Sequence, residues 1–186
     1  MSRLKIIDAP LAGVKLVERG RLGDVRGCFS RLFCAEELAP AGWRAGIAQI
    51  NHSFTAKMGT VRGMHFQTPP HAEMKLVSCL RGRIWDVAVD LRKESGTFLQ
   101  WHAEELSAEN QRALLIPEGL AHGFQALTDD VELIYCHSAP YRRWSQGGVN
   151  PQDRRLTIEW PLEITVISEA DALRPLIDQS FDGISS

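Results

Sequence analysis

Short apolar segments recur along the chain, and within several of them, most clearly residues 47–54 and 83–91, apolar and polar residues alternate with a period of two. Such alternation is typical of strands that bury one face and expose the other. The pattern predicts one or two strands within residues 4–17 and further strands at 29–33, 47–54, 60–67, 75–80, 83–91, 98–106, 112–116, 117–127 (a turn leading into a strand) and 131–138.

Helices are predicted only as short segments. Residues 35–39 and 107–111 each have the composition of one helical turn, and Pro40 ends the first of them. Residues 168–177 predict a short C-terminal helix with Ser168 as its N-cap. The arginine-rich segment 19–27 contains several glycines and is predicted as a loop, as is the chain after Pro140.

Many short strands separated by glycine turns are the pattern of an all-β sandwich or barrel. No repeat, low-complexity tract or linker composition divides the chain, so we expect one domain over residues 1–186. Several predicted strands place His, Gln, Lys or Tyr on their inward face. Polar residues in those positions predict a ligand cavity rather than a wholly apolar interior.

Composition and charge narrow the class of protein. Of the 186 residues, 44% are hydrophobic and 24% charged, and the net charge of −2 argues against general binding to nucleic acid or an anionic membrane. No apolar stretch approaches the roughly 20 residues that span a bilayer, and no N-terminal run has signal-peptide character. The four cysteines lack CxxC spacing. We therefore expect a soluble, cytoplasmic protein with reduced thiols.

His65 and Lys75 form the first candidate for chemistry. His65 lies between Arg62 and Gln67 in a predicted strand, and Lys75 begins the next apolar run. An imidazole can remove a proton beside a carbonyl while an ammonium stabilises the resulting oxyanion. A half-buried strand histidine with solubilising cations nearby would give the same pattern, so these residues alone leave both interpretations open.

A longer series of motifs resembles the dTDP-4-dehydrorhamnose 3,5-epimerase family. The matching segments, in family order and spacing, are DVRG (24–27), VRGMHFQ (61–67), KLV (75–77), DVAVDLR (86–92), LSAEN (106–110), IPEGLAHGF (116–124) and LIY (133–135). The resemblance extends from about residue 24 to residue 161. It implies a double-stranded β-helix, or jelly-roll (cupin) fold, with short terminal helices. It also implies cofactor-independent epimerisation of a nucleotide-linked 4-keto-6-deoxysugar.

The resemblance assigns catalytic roles to four residues. His65 matches the base that removes the proton α to the C4 ketone, and Lys75 matches the cation that supports the C4 oxyanion. Tyr135 matches the acid that delivers a proton to the opposite face of the sugar. Asp171 falls near the aspartate that orients the histidine, although the sequence alone also allows Asp86 in that role.

The resemblance also implies a substrate site and a homodimer. Arg26 and Arg62 match cations that bind the nucleotide diphosphate or the sugar, since guanidinium groups suit phosphate oxygens. His122, Gln49 and Asn51 match substrate contacts, and Phe29 matches an aromatic residue that could stack on the base. Family members exchange strands between two subunits, so residues of a partner subunit are expected to complete the site.

Four positions depart from the family pattern. Ile50 replaces an acidic residue, Arg31 a glutamate near the base, Gln146 another glutamate and Ala170 a lysine. The catalytic set is kept while the nucleotide end changes. These departures predict either a different nucleotide base or epimerisation at only one carbon.

Two other classes of protein are considered beside the epimerase. A metal-dependent cupin could use His65, His71, His122 and Glu73 as ligands, but the chain lacks an HxH pair and Lys75 would repel a cation. A non-catalytic nucleotide-sugar-binding cupin needs no acid–base pair, which the combination of His65, Lys75 and Tyr135 supplies. Neither a cofactor nor a metal is therefore expected.

Overall fold

The computed structural model describes residues 4–185. Its strands, numbered in chain order, are β1 Leu4–Asp8, β2 Lys15–Arg19, β3 Arg21–Asp24, β4 Gly27–Ser30, β5 Gln49–Thr55, β6 Thr60–Gln67, β7 Lys75–Arg81, β8 Arg83–Asp90, β9 Trp101–Ser107, β10 Arg112–Ile116, β11 Leu120–Ala126, β12 Val131–His137, β13 Gln146–Gly148 and β14 Val166–Ile167. The two short α-helices are α1 Ala35–Leu38 and α2 Glu169–Ala172.

The strands form two main sheets and one separate hairpin. The first sheet has the order β1-β2-β10-β7-β12-β5, and the second has the order β13-β6-β11-β8-β9. All of these neighbours are antiparallel, whereas β14 adds to β6 in parallel. The hairpin consists of β3 and β4. This arrangement confirms the predicted all-β jelly-roll fold.

Alternation along the strands sorts the apolar side chains into three buried clusters. The central cluster lies between the sheets and takes Val77 and Leu133 from the first sheet and Ile84 and Phe124 from the second. Side chains on the opposite faces of the same strands form the two outer clusters. In one of them Leu76 packs against the segment that contains α1. In the other Val87 packs against C-terminal segments. Both sheets are thus covered on their outer sides, which leaves the space between them for a cavity.

The central strands appear where the alternation predicts them, whereas several local predictions are wrong. The segment 19–27 contributes to a hairpin instead of a loop, and the strand predicted at 29–33 ends at Ser30. Residues 107–111 form a turn rather than a helix. There Asn110 Oδ1 accepts hydrogen bonds from the backbone N–H groups of Ser107 and Arg112, so an Asn side chain replaces the helical backbone bonds.

The C-terminal third contains more structure than predicted. β13 and β14 both pair with β6, in the region predicted as loop. The predicted helix at 168–177 is confined to α2, and the N-cap prediction is confirmed because Ser168 Oγ accepts a hydrogen bond from Asp171 N at 3.1 Å. No helix within residues 4–185 is long and apolar enough to cross a membrane.

Gly63 and Gly123 allow strands β6 and β11 to approach each other closely. A Cβ atom placed on Gly63, whose φ is +137°, would lie 2.6 Å from Gly123 Cα. Side chains are therefore excluded from both positions. Next to this contact the strand register shifts, and His65 is paired directly with His122 across the two strands.

Candidate active site

A cavity of about 660 Å³ opens between the two sheets, where the apolar core gives way to polar side chains. The second sheet contributes Arg62, His65 and His122, and the first contributes Asn51, Lys75 and Tyr135. Asp171 also lines this cavity, from α2. Most of the residues singled out from the sequence therefore surround one space, although they come from distant parts of the chain.

His65 and Asp171 form a close pair in the wall of this cavity. The distance between His65 Nε2 and Asp171 Oδ1 is 2.6 Å. The other carboxylate oxygen of Asp171 accepts a hydrogen bond from Gly63 N at 3.4 Å, which helps to fix the carboxylate beside His65. Burial lowers the pKa of His65, and the hydrogen bond and charge of Asp171 oppose that shift. At neutral pH the imidazole is therefore mainly uncharged and able to accept a proton.

Asp86 pairs with His122 and not with His65. Asp86 Oδ1 lies 2.7 Å from His122 Nε2, and the whole carboxyl group is buried. Burial raises the pKa of Asp86, and the neighbouring His122 opposes that rise. Of the two aspartates that the sequence allowed as the partner of His65, the fold brings Asp171 into contact and commits Asp86 to a second histidine.

Lys75 is held in place by a buried carboxylate. Its Nζ lies 3.0 Å from Glu73 Oε1, with only 10% of the lysine side chain and 5% of the glutamate side chain exposed. Nζ also donates to the backbone oxygen of His65 at 3.3 Å. Glu73 Oε2 in turn accepts a hydrogen bond from Gln67 Nε2. The ammonium group is thereby fixed beside His65.

Tyr135 faces the cavity from the sheet opposite His65. Its hydroxyl lies 3.3 Å from Ser53 Oγ. Burial raises the pKa of the phenol far above its ordinary value, so the hydroxyl stays protonated over the whole physiological range. The two candidate proton-transfer groups thus come from different sheets, β6 and β12, with the cavity between them.

A second cavity of about 470 Å³ adjoins the first. Both are lined by Asn51, His65, Lys75 and His137, and the second is extended by residues that include Gln49, Tyr141 and Gln146. Tyr141 donates its hydroxyl hydrogen to Gln146 Oε1 at 2.7 Å. The two spaces share these lining residues and together form one polar cleft of the size of a small-molecule binding site.

Three predicted binding residues differ in how they relate to this cleft. Arg62 lines the larger cavity, where its guanidinium donates to Thr55 Oγ1 and Phe54 O at 3.1 Å each. Arg26 and Phe29 lie instead on the exposed hairpin, where Arg26 pairs with Asp24. Within one chain the fold does not bring Arg26 or Phe29 to the cleft.

The four departures from the family pattern occupy different surroundings. Ile50 lines the larger cavity and Gln146 the smaller one. Arg31 forms an ion pair with Glu37 at 2.5 Å, at the start of the segment that contains α1. Ala170 is exposed in α2, directly before Asp171.

The sequence does not single out Glu73 or His137 as neighbours of Lys75 and Tyr135. It suggests Glu73 only as a metal ligand, but the Glu73 carboxylate binds the ammonium of Lys75. His137 and Tyr135 lie on the same inward face of β12, which a period of two along the strand could have revealed.

Within residues 4–185 no group of three or more His, Cys, Asp or Glu side chains is arranged to hold a metal ion.

Two antiparallel sheets around a polar cleft, with a histidine and a tyrosine facing it from opposite sides, define a cupin-type protein. Comparison with known proteins gives the family. The model of the dTDP-4-dehydrorhamnose 3,5-epimerase family matches residues 8–179. The chain belongs to this family, as the motifs predicted.

Individual relatives agree with this assignment. A dTDP-4-dehydrorhamnose 3,5-epimerase of Sinorhizobium fredii is 42% identical over 166 residues, which cover 89% of this chain and 85% of the relative. A dTDP-4-dehydrorhamnose 3-epimerase of Streptomyces niveus is 35% identical over 92% of this chain and 83% of its own length.

A solved structure is similar as well. The crystal structure of dTDP-4-dehydrorhamnose 3,5-epimerase from Bacillus anthracis with TDP and PPi bound superposes with a TM-score of 0.89 at 39% identity, covering 94% of this chain and 99% of that one. The predictions of family and of enzyme class, an epimerase among the isomerases, are confirmed.

Proposed function

We propose that this enzyme epimerises a nucleotide-linked 4-keto-6-deoxysugar, of the dTDP-4-dehydro-6-deoxyglucose type, at C3, at C5 or at both. One observation carries the proposal: His65 and Tyr135 line the same cavity from opposite sheets. Inversion of a carbon requires removal of its proton on one face and return of a proton on the other. A base and an acid on opposite walls provide this arrangement without a cofactor.

In the proposed reaction His65 removes the proton from the carbon next to the C4 ketone. The electrons of the C–H bond form a C=C bond, and the ketone oxygen becomes an enolate oxyanion. Lys75 stabilises this oxyanion with its fixed positive charge. Tyr135 then gives its hydroxyl proton to the same carbon from the other face, and the ketone forms again. Proton exchange with solvent returns His65 and Tyr135 to their starting states.

The protonation states of both groups suit these roles. The lowered pKa of His65 leaves the ring uncharged at neutral pH, while Asp171 keeps it basic enough to accept a proton and fixes its orientation. The raised pKa of Tyr135 keeps its proton in place until a carbanion-like centre forms nearby. Such a pair of environments, one favouring a base and the other an acid, is the usual way in which enzymes separate the two roles.

The proposed active form is a homodimer. Arg26 and Phe29 correspond to ligands of the nucleotide, and yet they lie on a hairpin outside the cleft of their own chain. The hairpin also exposes Leu22 and Val25, which are 58% and 105% exposed. Apolar side chains that are this exposed favour contact with another protein surface. Insertion of the hairpin into a partner's cleft would bury them and supply the missing nucleotide contacts.

The four departures from the family pattern bear on the choice of nucleotide and on the number of carbons that are inverted. Arg31 is engaged by Glu37 and replaces an acidic contact for the base, and Ile50 places an apolar side chain in the cavity wall. We propose that these changes relax the preference for thymine or restrict epimerisation to one carbon.

The four cysteines, all unpaired in the structure, support a cytoplasmic location.

Solvent exchange tests the proposed function. The purified enzyme is incubated with dTDP-, CDP- and GDP-linked 4-keto-6-deoxysugars in deuterium oxide, and deuterium at C3 and C5 is measured by NMR. We expect label at one or both carbons with at least one nucleotide. His65→Ala should abolish exchange, whereas Tyr135→Phe should retain exchange and lose inversion. Absence of label with all three nucleotides would refute the epimerase, and full exchange by His65→Ala would refute the base assignment.

A further inference from the structure

His137 stands where the two cavities meet. It is the last residue of β12, two positions after Tyr135, and it lines both the 660 Å³ and the 470 Å³ cavity. Its ring lies 6.1 Å from that of Tyr135, with an angle of 25° between the planes. Across the sheet it is paired with Lys75. His137 thus adjoins two of the proposed catalytic groups while having no part in the proton transfers described above.

A series of hydrogen bonds fixes which nitrogen of His137 carries the hydrogen. The backbone N–H of Tyr141 can only donate, and it donates to Gln49 Oε1 at 3.0 Å. Gln49 therefore presents Nε2 to Asn51 Oδ1, at 3.0 Å. Asn51 in turn presents Nδ2 to His137 Nε2, at 3.4 Å. Since an amide nitrogen donates, His137 Nε2 accepts, and the ring hydrogen of the neutral imidazole lies on Nδ1.

The surroundings keep His137 uncharged. Burial lowers its pKa to about 4, and the electrostatic influence of Lys75 and His122 acts in the same direction. At the pH of a living cell the ring is neutral and has one N–H donor. Within residues 4–185 Nδ1 donates to no protein acceptor, since the side-chain hydrogen bond of His137 is made by Nε2, so this donor is available to a ligand.

We propose that His137 is a substrate-binding residue that donates its Nδ1–H to an oxygen of the nucleotide sugar, either on the sugar ring or on the phosphate attached to it. The proposal deepens the proposed function and rests on it. Asn51 and Gln49 then act as positioning residues, which hold His137 in the required tautomer. A neutral donor suits this place because it binds an oxygen without competing with the ammonium of Lys75 for the enolate charge.

Three substitutions of His137 distinguish the contribution of its N–H donor from the contribution of its aromatic ring. Asn carries an N–H group near the position of Nδ1, Gln carries one near the position of Nε2, and Phe keeps an aromatic ring without either. We expect His137→Phe to raise KM about tenfold, the effect of one neutral hydrogen bond of ordinary strength, with kcat changed less. His137→Asn should restore most of the affinity and His137→Gln should not. If His137→Phe does not fold, His137→Leu provides the same removal of the donor.

Recovery of affinity in His137→Asn but not in His137→Gln is the readout that a merely structural role would not reproduce, and the pH profile tests the protonation state of His137. Because His137 is neutral throughout the working range, the acid limb of kcat/KM should stay at the same pH in His137→Phe and His137→Asn. A wild-type KM in His137→Phe, or equal losses in the Asn and Phe variants, would overturn the proposal.

Binding measurements identify the oxygen. Dissociation constants of dTDP and of dTDP-glucose, which lacks the 4-keto group and so does not react, are compared by calorimetry for wild type and His137→Phe. A loss confined to dTDP-glucose places the acceptor on the sugar, and an equal loss for both ligands places it on the phosphate. No loss for either would overturn the proposal. Absence of solvent exchange in wild type would refute the proposed function and this inference with it, whereas an active wild type with an unaffected His137→Phe would refute the inference alone.

Discussion

His65 Nε2 and Asp171 Oδ1 lie 2.6 Å apart although 106 residues separate them in the chain. The histidine belongs to β6 in the second sheet, and the aspartate belongs to α2 near the C-terminus. The contact forms because β14, just before α2, runs parallel to the start of β6. The C-terminal segment thereby provides the partner of the proposed base.

Loss of this partner should weaken the base and shift its titration. In Asp171→Asn the negative charge that raises the pKa of His65 is removed and the remaining hydrogen bond has a neutral acceptor, while burial continues to lower the pKa. The pKa should therefore fall further, and the acid limb of kcat/KM should move to lower pH. The rate at neutral pH should decrease about 100-fold, because an incorrectly oriented and less basic imidazole is a poor general base.

The measurement is a pH profile of deuterium exchange for wild type and Asp171→Asn. Glu169→Gln is the matched control, since it neutralises an exposed acid of the same helix that makes no contact with His65. An acid limb that moves to higher pH in Asp171→Asn would contradict the assigned role.

Neutralising Glu73 should weaken the stabilisation of the oxyanion by Lys75. In Glu73→Gln the side chain keeps its shape, but the ammonium of Lys75 loses its buried counter-charge. A buried cation without a partner is costly, so the positive charge of Lys75 should no longer be held beside His65. We expect kcat to fall about tenfold, since oxyanion stabilisation depends on that charge.

Glu132→Gln serves as the comparison because the Glu132 carboxylate contacts His52 and Arg81 rather than Lys75. The kcat of this variant should equal that of wild type. An unchanged kcat in Glu73→Gln would show that the position of the ammonium does not depend on this carboxylate.

Mixed dimers should reveal whether the hairpin acts on a partner. Arg26→Ala and His65→Ala are each expected to be inactive as pure proteins. If Arg26 serves the cleft of the other subunit, a heterodimer of the two variants contains one site with both substitutions and one intact site. Mixing the variants after reversible dissociation should therefore restore measurable exchange, whereas a site formed within one chain would yield none.

Acid should destabilise the protein partly through His137. The ordinary pKa of histidine is about 6.5, and in the folded protein that of His137 is lowered to about 4. Between these values the unfolded chain binds more protons than the folded one, so the free energy of unfolding falls as the pH decreases from about 6.5 to 4. In His137→Asn this contribution is absent.

Thermal melting at several pH values in this range checks the expectation. The melting temperature of His137→Asn should decrease less steeply with acidification than that of wild type. The substitution should remove only part of the pH dependence of the melting temperature. The pKa of His65 is also lowered, so His65 continues to destabilise the folded protein in acid. Parallel curves for the two proteins would contradict the assigned protonation state.

Much of the fold could be predicted from the sequence because the central strands bury alternate residues. The period of two places Val77 and Leu133 toward the core and Leu76 away from it, as the structure has them. The hairpin of β3 and β4 and the strands β13 and β14 were missed. They are short and mostly exposed, so their strand character comes from pairing and leaves little trace in the hydrophobic pattern.

The sequence by itself determined the fold class, the family and the presence of His65, Lys75 and Tyr135, since these depend on residue identity and spacing along single strands. Only the tertiary structure decided which residues meet. It paired His65 with Asp171 and His122 with Asp86, supplied Glu73 to Lys75, and placed His137 between the two cavities. These contacts join residues of different strands and sheets, and their formation depends on strand order and register, which local periodicity does not encode.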